Sequence, residues 1–225
     1  MDALASTLKD RVVLTGAIAI AYAVTAHIGF SMALPPGNVT ALWMPSGLAL
    51  AVVLLFGRFS LLGVWLGSFA INWWSLQSLV GLNVAVAIAT GSTLQAICAA
   101  TLLQARLGHA GIPKRGRDVA EFMALMAVAT LIASGIGVSA LCYAGLAPWS
   151  EFLHLGWTWW LGDYAGILSF APLLIVFGRR WLGKPVDEIE LFPLTTLWFG
   201  VTLIAFFFVY QGEQRMAASL NQQAS

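Results

Sequence analysis

Asp163 is the residue with the most chemistry to account for. It is the only charged side chain between Glu151 and Arg179, in an otherwise apolar run. A carboxylate at bilayer depth costs several kcal/mol unless it is protonated, paired or hydrated, so an intramembrane acid is a functional candidate by default. Trp159 and Trp160 precede it by four and three residues and share its helix face. A second constellation is Trp43-Met44-Pro45-Ser46-Gly47. Pro45 removes a backbone hydrogen bond and Gly47 loosens the next turn, so a helix here is expected to kink or to begin irregularly. Interrupted helices at membrane depth line cavities. Asn72, beside Trp73 and Trp74, and His27 add further polar and aromatic groups.

Counting along the spans given below puts these residues in the outer half of the membrane. An outward-open pocket walled by indole rings and pointed by a few polar groups suits a small molecule. Each tryptophan also has a plainer reading as outer aromatic belt. Asp163 has one as a polar staple between two helices. Gln95, clustered with Thr90, Ser92 and Thr93 near mid-membrane, reads as interhelical hydrogen bonding. Gly162 and Gly166 with Ser169 form a small-residue ridge on the Asp163 helix, and Gly63 and Gly67 with Ala70 form another. Such ridges let helices approach closely and slide, so Pro45, Gly47, Gly162, Gly166 and Gln95 are expected to shape or gate the site. Catalysis has no visible candidate: the chain has no HExxH, no Gly-x-Ser-x-Gly, no phosphate loop and no acid pair placed for hydrolysis. His27 and His154 have no supporting motif for haem ligation, no metal site is read, and no cofactor is named by the residues.

The elements that must position these groups follow from composition. The chain has 225 residues, of which 60 % are hydrophobic and 9 % charged. Its mean hydropathy is +0.85. That is a membrane protein. A net charge of +1 leaves no basic face for nucleic acid. Cys98 and Cys142 both lie in apolar stretches and read as packing residues. No Asp, Glu, Lys or Arg occurs between Arg11 and Arg58, or between Arg58 and Arg106, and each window holds two helices of about 20 residues. Turn signals place seven spans near 12–33, 39–57, 60–77, 82–105, 118–145, 153–178 and 192–211. With the N-terminus inside, Lys9, Arg11, Arg58, Arg106, Lys114, Arg115, Arg117, Arg179, Arg180 and Lys184 are cytoplasmic and only Arg215 is outside. The expected organisation is a cytoplasmic tail at 1–11, a membrane domain at 12–211 and an extracytoplasmic start of a following region at 212–225. Asp118 and Glu121 have capping-box spacing at the start of the fifth span.

The run Leu42-Trp43-Met44-Pro45-Ser46-Gly47-Leu48-Ala49, then Gly57-Arg58, Gly67 and Asn72, and later Trp157, Trp159-Trp160-Leu161-Gly162-Asp163, Gly166 and Pro172-Leu173, resembles the bacterial membrane-associated sensor domain of the first described type. The resemblance runs from about residue 12 to 178 and more loosely to 211. It implies an integral-membrane input module joined to histidine kinases, diguanylate cyclases and cyclic-di-GMP phosphodiesterases. The sequence departs from that pattern in its fourth span, where Gly91-Ser92-Thr93-Leu94-Gln95 stands in place of a Gly-Asn-Thr followed by a glutamate. It also departs in ending its seven spans outside, where eight ending inside are common.

The combined expectation is an all-α polytopic transmembrane bundle in a bacterial inner membrane. It would act as a sensory module and not as an enzyme, detecting a small ligand at Asp163, Trp160, Trp159, Asn72, Trp43, Ser46 and His27. Its partners would be the lipid bilayer, a downstream signalling domain of the same chain and a second copy of the chain. The alternative is a small-molecule transporter or its membrane substrate-binding subunit, which also uses broken helices and a mid-membrane acid. The charge split predicts that cysteines introduced at residues 112 and 182 label only from the cytoplasm and one at residue 147 only from outside; opposite labelling reverses the orientation.

Overall fold

A computed structural model describes residues 2–31, 42–76, 81–108, 113, 116–184 and 186. They form α1 (Asp2–Ser31), α2 (Met44–Phe56), a 3-10 turn at Gly57–Phe59, α3 (Ser60–Leu76), α4 (Leu82–Leu107), α5 (Gly116–Ala129), α6 (Leu131–Tyr143), a second 3-10 turn at Trp149–Glu151, and α7 (Phe152–Trp181). No strand occurs among the described residues. Five helical stretches, Thr7–Ser31, Met44–Ser75, Leu82–Leu107, Gly116–Tyr143 and Trp149–Trp181, are long and apolar enough to cross a membrane. The expected span at 192–211 lies outside the described residues.

Two of these stretches have internal structure. Within Met44–Ser75 the helix stops at Gly57, whose φ of 77° suits glycine and few other residues. The Arg11 guanidinium lies 4.0 Å over the Phe59 ring, pinning this turn to the start of α1. At the other end, Gly29 of α1 lies against the Trp43 ring. So α2 runs back along α1, and the chain reverses again into α3: Gly63 packs on Thr15 and Ile18, and Gly67 on Ala19 and Tyr22. The glycine ridge read from the sequence is therefore the α1–α3 contact. By contrast, α5 and α6 are one rod bent at Thr130, whose hydroxyl donates to the carbonyls of Met126 (2.8 Å) and Ala127 (3.2 Å). Back-bonding of this kind bends helices.

At the start of α5, Glu121 pairs with Arg106 of α4 at 3.4 Å. An exposed pair of this sort contributes about 0–1 kcal/mol. It does tie the end of α4 to the start of α5.

α2 is the enclosed helix. Pro45, Ser46, Gly47 and Ala49 to Val53 are all buried, so it has no lipid face, and it packs on α7, α4 and α1. Its 13 residues rise only about 20 Å, well short of a hydrocarbon core of about 30 Å. Pro45 sits in the first turn of α2, where its missing N–H is no loss, so the proline starts the helix instead of kinking it. Trp43, with φ −96° and ψ 86°, lies outside the helix and donates its backbone N–H to the Gly162 carbonyl of α7 at 2.9 Å.

Beyond that contact, α2 and α7 run side by side in the same direction, with Gly47 on Gly166 and Leu55 on Gly178. Many large apolar side chains point outward, among them Leu62, Val128, Leu131, Leu153 and Phe177. In water this would be a liability. It is the expected surface in lipid.

The α2–α7 contact is backbone to backbone, and a Cβ on Gly166 would collide with the Trp43 carbonyl. Gly166→Ala is expected to destabilise the purified protein by about 1–3 kcal/mol in thermal melts, as overpacking does. Gly156→Ala, whose added Cβ meets nothing within 4 Å, is expected to melt like the parent.

Candidate functional site

The close docking of α2 on α7 puts the first turn of one helix against the side of the other. Ser46, in the first turn of α2, donates its hydroxyl to Asp163 Oδ1 at 2.5 Å. Asp163 is 1 % exposed. The carboxyl therefore lies at the N-terminal end of α2, where the helix dipole favours negative charge. Gln95 of α4, 2 % exposed, lies close enough to interact with the same carboxyl. Yet Asp163 Oδ2 and Gln95 Oε1 both lack a hydrogen-bond partner among the described residues. Each such buried atom costs about 1–3 kcal/mol.

The polar cluster extends through two further helices. Tyr22 of α1, almost fully buried, interacts through its hydroxyl with Ser68 of α3 and Ser92 of α4, with the Trp43 side chain, and electrostatically with Asp163. Ser68 Oγ donates to Ser92 Oγ at 3.4 Å, and Asn72 Nδ2 donates to the Ser68 carbonyl at 2.8 Å. Five helices thus meet in one buried polar layer. Ser46 is eleven residues from Gly57, about 16 Å along the helix, roughly half the hydrocarbon thickness. Tyr22 likewise stands midway between Arg11 and Ser31. The layer lies near the middle of the helix bundle.

Of the residues singled out in the sequence, Asp163, Ser46, Trp43 and Gln95 come together here, with Gly47, Gly162 and Gly166 making the approach possible. Pro45 is fully buried in the same turn. Asn72 joins through Ser68. The two tryptophans before Asp163 point elsewhere. Trp159 fills the space over Gly137 of α6. Trp160 donates its indole N–H to the Ala127 carbonyl at 2.8 Å and stacks between Trp157 and Tyr164. His27 is exposed, as are Trp73 and Trp74. Two members of the layer were missed by the sequence reading, Tyr22 and Ser68. The available signal was a hydroxyl in each of two apolar helices, Ser68 directly after a ridge glycine.

Among the described residues no group of His, Cys, Asp or Glu could hold a metal ion, and both cysteines are free. An open apolar groove of about 730 Å³ runs along α6, lined by Leu131, Gly135, Ile136 and Tyr143, apart from the polar layer.

An all-helical bundle with a lipid-compatible surface, a half-length central helix and an acid buried among hydroxyls is an integral-membrane, multi-pass domain. A sequence profile of the MASE1 family matches residues 14–219, and the chain belongs to that family, the membrane-associated sensor domains of histidine kinases and diguanylate cyclases. MASE1 domains are sensory input modules of signalling receptors and not catalytic domains. No curated protein and no solved structure matches the chain.

The coupling between Ser46 and Asp163 can be measured. Ser46→Ala removes the hydroxyl that donates to a buried carboxyl and is expected to destabilise the protein by about 1–3 kcal/mol. In an Asp163→Ala background the same change is expected to have little effect, giving a clear interaction energy in a double-mutant cycle.

Proposed function

We propose that this chain is the input module of a bacterial receptor and that its polar layer is the sensing element. In this reading the N-terminus is cytoplasmic, the tryptophan-rich ends face outside, and an output domain of the same protein reads the packing of α2 and α7. The observation that carries it is the seating of a half-length helix on α7 through glycine backbones, with the Ser46–Asp163 hydrogen bond at the seam. Glycine contacts have no interlocking side chains to resist sliding. The polar bond at the seam is then what holds one register against another. A cue that alters the charge or the hydrogen bonding of Asp163 changes the relative stability of two helix arrangements. A ligand drives a switch only by that difference.

The family supports the receptor setting, and the burial of Asp163 supports a role for its charge beyond adhesion, because desolvation usually offsets what the hydrogen bonds of a buried acid return. The transporter reading shares the broken helix and the mid-membrane acid. It differs in what is measured: flux of a solute and not a change in output.

Asp163→Asn keeps the size and most hydrogen bonds while removing the charge. The expected outcome in the full-length receptor is a fixed output that no longer responds, with the melting temperature within a few degrees of the parent. A normal response in that variant overturns the role of Asp163, and solute uptake by vesicles carrying the protein in place of any signalling output favours the transporter.

A further inference from the structure

We infer that Asp163 and Gln95 form a proton-binding site. The acid takes up one proton on Oδ2 and donates it to Oε1 of Gln95, joining α7 to α4, while Ser46 joins α7 to α2. Oδ2 of Asp163 and Oε1 of Gln95 are acceptors without a hydrogen-bond partner among the described residues, both at least nine-tenths buried, and the Gln95 side chain interacts with the Asp163 carboxyl in the sense that favours the carboxylate. Two acceptors cannot satisfy each other; one hydrogen between them satisfies both. The carboxamide of Gln95 is fitted to either state. With its NH2 group toward Asp163 it serves the carboxylate, and turned end for end it presents an acceptor to the neutral acid at almost no change in shape.

The chemistry of the surroundings selects a proton over other cations. Hard metal ions that bind oxygen take six or more ligands, usually several carboxylates among them, and among the described residues no group of three or more His, Cys, Asp or Glu side chains gathers here. The backbone is packed so closely here that Gly47 and Gly166 have no room for a methyl group, which leaves no space for an organic amine. From the packed elements, α1 brings the Tyr22 phenol, α2 brings Ser46 and Trp43, α3 brings Ser68 and Asn72, and α4 brings Gln95 and Ser92. Besides Asp163, Tyr22 is the one titratable side chain in that set. The proton is exchanged with water, forming and breaking one O–H bond at Oδ2, and the deprotonated form leaves a full negative charge at the N-terminal end of α2. Uptake and release would thus reverse the direction of the α4–α7 hydrogen bond, and release adds an attraction between the α7 carboxylate and the N-terminal end of α2. As a sensing event this rests on the receptor reading above, but the protonation itself does not.

The test is infrared difference spectroscopy on the intact protein in lipid nanodiscs at neutral pH. The expected result is a carboxylic-acid C=O stretch that disappears in Asp163→Asn, moves in Gln95→Leu, and gives way to carboxylate bands as the pH is raised. Should Asp163→Asn fail to fold, labelling the aspartate carboxyls of the parent with carbon-13 identifies the band through its isotope shift. The other four aspartates, Asp2, Asp10, Asp118 and Asp187, lie at helix ends and in polar segments. Absence of an acid band at neutral pH overturns the site, and a band indifferent to Gln95→Leu overturns the shared proton. Because no output is read, this failure is distinct from failure of the receptor reading, which the response of Asp163→Asn decides.

Discussion

Everything central to this domain depends on one close approach, the first turn of α2 laid against the Gly162–Gly166 face of α7. Trp43 N–H reaches the Gly162 carbonyl, and Gly166 has no side chain to hold the two backbones apart. In lipid there is little hydrophobic gain in bringing two apolar helices together, because the alternative neighbour is equally apolar. Packing and polar contacts must do it. Glycines allow the first, and Ser46 with Asp163 supplies the second. The rest of the bundle wraps around this pair, α1 and α4 closing on α2 and α3 closing on α1 and α4.

A helix that begins at mid-depth creates a problem and an opportunity. A helix end in hydrocarbon is costly where its N–H groups stay bare, and the first turn of α2 limits that cost because Pro45 carries no N–H and the Ser46 N–H bonds to the Trp43 carbonyl at 3.2 Å. Here the neighbouring helix provides a carboxyl for the Ser46 hydroxyl beside that end and a carbonyl for the Trp43 N–H just before it, so polar contacts join the two elements across the bundle. The arrangement keeps an acid where burial and the helix terminus pull in opposite directions, the first against charge and the second for it. A group held between opposing influences is sensitive to small changes around it. That sensitivity suits an input domain of a signalling receptor, which has to turn a weak cue into a shift between packings.

The membrane class, the all-helical fold, the apolar segments and the family were legible in the sequence, because hydropathy and charge act locally along the chain and bilayer thickness sets a fixed length for each apolar run. The importance of the Trp43–Gly47 and Gly162–Gly166 segments was also visible, since proline and glycine constrain the backbone wherever they stand. Side-chain direction was not. Trp159 and Trp160 share a face with Asp163 in spacing, yet large rings turn toward whatever space the neighbouring helices leave, one over Gly137 and the other to the Ala127 carbonyl.

By itself, then, the sequence determined which stretches are helical and apolar, which residues permit close approach, and that a lone acid had to be reckoned with. Only the tertiary structure decided that Ser46, 117 positions away, is the partner of Asp163, that Tyr22 and Ser68 belong to the same layer, and that α2 begins halfway along the bundle. The physical reason is that propensity and hydropathy are properties of neighbours in sequence. Satisfying a buried polar atom depends on which helix the packing brings alongside it, and in an apolar bundle several pairings bury nearly the same surface. The choice among them rests on a few glycines and hydroxyls meeting in register across different helices.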